Sequence, residues 1–188
     1  HTLSMVASFR EQNQHTPVVL MGYLNPVECM GNEAFVKKAA EVGVDAVLLV
    51  DCPPEESADL LEHLRHHDLD QIFLVAPTTT DERQQLICQQ ASGFVYYVAL
   101  KGVTGSADLD SEAVAKDILN LKSRTQLPVA VGFGVKDADS AVAVAAQADA
   151  VVIGSALVDI LGQCEDLPAA KQAVANFIKP IRTALNSL

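Results

Sequence analysis

Residues 129–134 read Val-Ala-Val-Gly-Phe-Gly, and residues 150–156 read Ala-Val-Val-Ile-Gly-Ser-Ala. Each is a short run of small and β-branched residues leading into glycine. Neither alternates apolar with polar. An unbroken apolar run is the pattern of a strand covered on both faces, as in parallel sheets flanked by helices. Between the two runs, Asp137–Gln147 is rich in Ala and Val, with acids at its start that suit the helix dipole. The segment therefore reads as strand, helix, strand.

Outward from this unit the same pattern recurs. Apolar runs occupy Val18–Tyr23, Ala46–Val50, Ile72–Val75 and Phe94–Ala99. Helical periodicity predicts helices at Ser4–Gln12, Glu33–Val42, Glu56–His67, Asp81–Ser92, Glu112–Ser123 and Ala169–Leu185, and Gly43 is a stop signal after the second. Gly43-Val44-Asp45-Ala46-Val47 is echoed by Gln147-Ala148-Asp149-Ala150-Val151, each at a helix-to-strand turn. Repeated βα units with right-handed crossovers give either an open doubly wound sheet or a (β/α)8 barrel. In a barrel, function gathers at the C-terminal ends of the strands.

Composition narrows the class. The chain has 188 residues, 49% of them hydrophobic and only 5% aromatic, with no Trp, so its core is aliphatic. The net charge of −11 argues against a nucleic-acid binder that works by neutralising phosphates. No apolar run approaches the roughly 20 residues of a membrane helix, and no signal peptide is visible. Cys29, Cys52, Cys88 and Cys164 form no CxxC pair and read as reduced thiols of a cytoplasmic protein. His63, His66 and His67 read as a solvated helix face, and no metal site is expected.

The strand ends carry the chemistry. Gly132-Phe133-Gly134 and Gly154-Ser155 let backbone N–H groups approach an anion, and a helix start after Gly154 adds positive partial charge. Barrels bind phosphate with such loops and a short extra helix. The glycine-hinged Gly102–Asp110 loop reads as a lid. Tyr96 alternates with Phe94 and Val98 and can point into a barrel interior. Asp51 ends its strand and reads either as a site carboxylate or as a cap of the following turn. Glu55 and Glu56 read as acids complementing a helix start.

Taken in order, Met-Gly-Tyr-Leu-Asn-Pro (21–26), Asp-Cys-Pro-Pro-Glu-Glu (51–56), Tyr-Tyr-Val-Ala-Leu-Lys-Gly-Val-Thr-Gly (96–105), Gly-Phe-Gly and Ile-Gly-Ser-Ala resemble the tryptophan synthase alpha chain family across nearly the whole sequence. The resemblance implies an α/β fold of the TIM (β/α)8-barrel family, with residues 1–188 as a single barrel domain. Here it would comprise strands 3–8 with their helices and lack the first two βα units. It implies a lyase of tryptophan biosynthesis that cleaves indole-3-glycerol phosphate to indole and glyceraldehyde 3-phosphate. No cofactor is expected in this chain. Pyridoxal phosphate is expected in the beta chain, its partner in an α2β2 heterotetramer.

By motif match, Gly105, Gly134, Gly154 and Ser155 resemble the phosphate cradle. Met21, Leu48, Leu74, Tyr96, Thr104 and Phe133 resemble the indole and glycerol pocket. Tyr23, Asn25, Asp51 and Pro53 resemble beta-chain interface positions. The family's acid/base pair belongs to segments before the region matched, so no catalytic residue is assigned here. The 188 residues alone are expected to be inactive and to self-associate through exposed strand edges. Ala99 departs from a serine often found in the family. The alternatives are another phosphate-binding barrel enzyme, of indole-glycerol-phosphate synthase or phosphoribosyl isomerase type, and a non-catalytic binding fragment.

Overall fold

A computed structural model of the chain describes residues 1–99, 111–132 and 134–188. The calls at Thr104, Gly105, Phe133 and the Gly102–Asp110 lid lie outside the described residues. The chain packs as two compact units, one of residues 1–74 and 80–95, the other of 75–79 and 96–188.

The first unit holds α1 (Thr2–Arg10), β1 (Val19–Gly22), α2 (Leu24–Met30), α3 (Asn32–Val42), β2 (Ala46–Leu49), a 3-10 turn (Pro54–Glu56), α4 (Ala58–His66) and β3 (Asp70–Gln71). It also holds most of β4 (Phe73–Val75) and all of α5 (Asp81–Gln90). Its sheet runs β1-β2-β3 with parallel pairing, Val19 opposite Ala46 and Met21 opposite Leu48. The period-two alternation of a strand gives the sheet two faces. Leu20, Val47 and Leu49 join the helix residues Val36, Ala39, Leu60 and Leu64 in one apolar core. Met21 and Leu48 therefore stand on the face away from α3 and α4.

The structure departs from the predicted elements at two places before β3. The predicted helix Glu56–His67 is split: a 3-10 turn precedes Ser57, and α4 starts after it. Leu24–Met30, for which periodicity predicts no element, is the helix α2, although Pro26 lies within it and Tyr23 supplies no side-chain cap. Proline is tolerated in a first turn because those N–H groups have no intrahelical acceptor.

The second unit holds most of β5 (Val95–Val98), α6 (Ser111–Lys122), β6 (Val129–Gly132), α7 (Ala138–Ala145), β7 (Ala150–Val152), α8 (Ser155–Gly162) and α9 (Leu167–Leu185). β6 lies between β5 and β7. It pairs in parallel with β7, Ala130 opposite Ala150 and Gly132 opposite Val152. Asp137 and Ser140 form a reciprocal capping box at the start of α7. Val135, Ala141 and Ile181 form a buried cluster that joins the β6–α7 loop, α7 and α9.

The repeated Asp-Ala-Val has a structural meaning. Asp45 precedes β2, and its Oδ2 accepts the Val18 N–H at 2.6 Å and Arg10 Nη2 at 2.6 Å. Asp149 precedes β7, and it accepts the Val129 N–H at 2.9 Å and Lys122 Nζ at 2.7 Å. Each aspartate ties the start of its strand to the start of the neighbouring strand and to a cation from a preceding helix. The Lys122 and Val129 bonds hold the Asp149 carboxyl below the usual carboxylate range. The stabilisation is therefore present above the ordinary carboxylate value near pH ~4 and is lost as pH falls through the lowered folded value. Asp149→Asn is expected to lose about 1 kcal/mol at pH 7, the pair being partly solvated. In urea unfolding, that difference should shrink as the pH is lowered into the acid range. A constant difference would sink the assignment.

Candidate active site

Two predicted cradle glycines follow the ends of neighbouring strands in the second unit. The last in-register pair is Gly132 opposite Val152. Two residues further along each chain stand Gly134 and Gly154. Gly134 has φ +56°, a left-handed conformation that favours glycine. Gly154 is the N-cap of α8, and open space surrounds the position a Cβ would take. Its carbonyl accepts from Leu157 N at 2.9 Å and Val158 N at 3.2 Å. The N–H groups of Ser155 and Ala156 precede the first intrahelical bond and are unclaimed by the helix. Such an end suits an anion.

Tyr96 lies on β5 and is half-buried. Its ring fills the place of a side chain at Gly132. A Cβ there would sit 2.8 Å from Tyr96 Cε2 and 2.9 Å from Cζ, and closer still to the hydroxyl. Gly132 is thus a close-approach glycine, and the contact fixes where the ring lies. Burial raises the Tyr96 phenol above its ordinary value, so it is protonated at neutral pH and can donate a hydrogen bond. Its neighbour Tyr97 points the other way, is buried, and donates to Asp117 Oδ2 at 2.8 Å.

In the first unit, Met21 is 62% exposed and faces the buried Leu48 across the ladder. Leu74 lines a cleft of about 250 Å³ with Leu49, Asp51, Pro53, Phe73 and Arg83, among others. Two predicted interface residues and one predicted pocket residue thus share one cleft. Cys52 also lines it and is 3% exposed. Burial, followed by the carboxylates of Asp51, Glu56 and Glu28, pushes its thiol up, which suits a packed thiol and not a nucleophile.

Tyr23 is 64% exposed at the N-cap of α2, and Asn25, the helix's second residue, is exposed. Asp51 does not cap its own following turn. Its Oδ1 accepts the Leu24 N–H at 2.7 Å, capping α2 from 27 residues away. That bond draws Tyr23, Asn25 and Asp51 together. Glu55, read from sequence as a helix-dipole acid, lies in the 3-10 turn and pairs with Arg83 Nη1 at 2.9 Å. Sequence reasoning missed Arg83, because no local pattern links residues 28 positions apart. Among the described residues, no group of three His, Cys, Asp or Glu side chains is placed to hold a metal. His66 and His67 instead set a ring nitrogen against the carbonyls of Glu62 and His63.

The family model of the tryptophan synthase alpha chain matches residues 1–186. The chain belongs to the tryptophan synthase alpha chain family. The alpha chain of Thioalkalivibrio sulfidiphilus is 55% identical over 185 residues, covering 98% of this chain and 70% of that relative. That of Acinetobacter baumannii is 55% identical over 186 residues, covering 99% and 69%. The solved alpha subunit of Legionella pneumophila str. Paris superposes with a TM-score of 0.87 at 36% identity, covering 100% of this chain and 69% of that one. A Pyrococcus furiosus chain, described as part of a tryptophan synthase α2β2 complex, gives 0.86 at 33% identity, covering 96% and 72%.

Tryptophan synthase alpha chains are (β/α)8-barrel lyases that cleave indole-3-glycerol phosphate, and this chain shares that fold class and function. The isomerase and indole-glycerol-phosphate synthase readings give way to it. No helix among the described residues is long and apolar enough to cross a membrane.

Proposed function

We propose that the lyase reaction uses this chain's strand ends to hold indole-3-glycerol phosphate by its two ends. The phosphate takes the Gly134 and Gly154–Ser155 amides, with Gly105 assigned by motif. The indole and glycerol portion takes Met21, Leu48, Leu74 and Tyr96, with Thr104 and Phe133 assigned by motif. The observation that supports this reading is the β6–β7 register, whose last pair, Gly132 and Val152, lies two residues before Gly134 and before Gly154 at the start of α8.

The cleavage protonates indole C3, removes the proton of the glycerol hydroxyl and breaks the carbon–carbon bond between them. The products are indole and glyceraldehyde 3-phosphate. Such a retro-aldol step needs acid/base groups and no electron sink. We therefore assign no cofactor to this chain and pyridoxal phosphate to the beta chain. The beta chain docks on the rim formed by Tyr23, Asn25, Asp51 and Pro53, in an α2β2 assembly. Residues 1–188 act as one barrel domain, and the cytoplasm is its compartment.

Ser155→Pro tests the cradle, because proline at the first position of α8 removes the amide N–H without breaking an intrahelical bond. Substrate binding by the phosphate is uniform between ground and transition state, so the effect falls on KM and not on kcat. With the alpha chain joined to the family's acid/base segments and bound to the beta chain, KM for indole-3-glycerol phosphate is expected to rise about tenfold, as for a lost charge-assisted hydrogen bond. An unchanged KM would remove Ser155 from the cradle.

A further inference from the structure

The loop between β2 and α4 carries two of the four interface positions, Asp51 and Pro53, and it is tied down from outside itself. Asp51 Oδ1 holds the Leu24 N–H of α2 at 2.7 Å. Glu55 Oε1 accepts from Arg83 Nη1 of α5 at 2.9 Å. Ser57, fully buried, has its Oγ 3.0 Å from the Pro54 carbonyl and 3.4 Å from Gln90 Oε1, at the far end of α5. Arg83 also lines the cleft beside Asp51, Pro53 and Pro54. So α5, which contributes none of the assigned interface residues, sets the loop's shape through both of its ends.

We propose that Arg83 is a positioning residue for beta-chain docking, acting through Glu55 to hold residues 51–55 in the shape the partner meets. The inference rests on the interface reading of Tyr23, Asn25, Asp51 and Pro53. The Arg83 and Glu55 side chains are each 46% exposed. An exposed ion pair adds little to folding stability. A loop held in its bound conformation nevertheless binds more tightly than one that must be ordered on docking. Removing the pair therefore separates two quantities that a merely structural contact would move together. Arg83 suits the task better than lysine, because its planar fork fixes direction as well as charge.

The test is a double-mutant cycle of Arg83→Gln and Glu55→Gln in the alpha–beta complex. Affinity is read by titrating alpha chain against the beta chain's tryptophan synthesis from indole and serine. Each single variant is expected to weaken docking about fivefold, and the double variant no further, because the two residues act as one unit. The charge-reversed pair Glu55→Arg with Arg83→Glu should recover most of the loss. Melting temperature should stay close to that of the parent. Unchanged affinity in both single variants, or a loss of affinity that tracks a falling melting temperature, would overturn the proposal. Tyr23→Ala and Asp51→Ala serve as the control for the underlying reading. If they weaken docking while Arg83→Gln does not, the positioning role fails. If they too leave docking unchanged, the interface reading itself fails.

Discussion

In an alpha chain joined to the family's acid/base segments, Gly132→Val is expected to abolish most of the indole release while leaving a folded but weakened protein. The Tyr96 ring occupies the space a side chain at Gly132 needs, with ring carbons 2.8 and 2.9 Å from the position of a Cβ. The clash is with a ring held on a strand and not with the free end of a flexible chain. Gly132 is paired with Val152 in the β6–β7 ladder, so its backbone cannot retreat without breaking the register. The ring must therefore move into the space assigned to substrate. Overpacking of this kind costs about 2 kcal/mol. A shift of about 1 Å in a binding group lowers kcat/KM by roughly 100-fold.

Tyr96→Leu in the Gly132→Val background should return much of the stability, because the shorter side chain vacates the contested space. It should return activity only in part, since the aromatic wall is gone. Thermal unfolding and indole release in the alpha–beta complex measure both. Parental turnover by Gly132→Val alone would show that Tyr96 does not border the substrate.

Arg10→Ala is expected to give the largest loss of stability among single polar substitutions. The guanidinium is 11% exposed and ties three segments together. Nε donates to the Gly43 carbonyl at 2.8 Å, Nη1 to the Thr16 carbonyl at 2.7 Å, and Nη2 to Asp45 Oδ2 at 2.6 Å. Gly43 is the left-handed end of α3, with Val44 N bonded to the Ala39 carbonyl and Gly43 N to the Ala40 carbonyl in a Schellman arrangement. A Cβ on Gly43 would come within 3.0 Å of Arg10 Cγ and Nε, so the helix stop and the arginine are fitted to each other.

Removing the guanidinium leaves two carbonyls without this donor and the half-exposed Asp45 carboxylate with the Val18 N–H alone, at a cost of about 3 kcal/mol. For a chain of this size that lowers the melting temperature by about 6–12 °C. Arg10→Lys should recover little of it, because an ammonium cannot reach three acceptors in different directions. A fall of less than about 2 °C on Arg10→Ala would mean that water replaces these bonds without loss.

Much of this was legible in the sequence, for a physical reason in each case. Unbroken apolar runs such as Val129–Val131 announce strands because burial on both faces leaves no place for polar residues. Gly43 announces the end of α3 because only glycine takes a left-handed turn without strain. The Gly-Phe-Gly and Gly-Ser endings point to the phosphate cradle proposed above, because close backbone approach excludes side chains. The family motifs identified the same positions.

Other features had no local signal. Leu24–Met30 contains a proline and lacks a capping side chain of its own, so its sequence reads as loop. Asp51 is what starts it, from the end of the neighbouring strand. Glu55 looks like one of two acids facing a helix dipole, until Arg83 is found beside it. Gly132 looks like one more turn glycine, until the Tyr96 ring is seen to occupy its side-chain space.

The sequence by itself determined the repeated βα plan, the aliphatic core, the strand ends that carry glycine and the family. These follow from periodicity and from backbone rules that act within a few residues. Tertiary structure alone decided which carboxylate caps α2, which cation fixes the β2–α4 loop, and why Gly132 must stay bare. Those depend on groups 27 to 36 residues apart, brought together only when the strands pair in register and the helices pack against them.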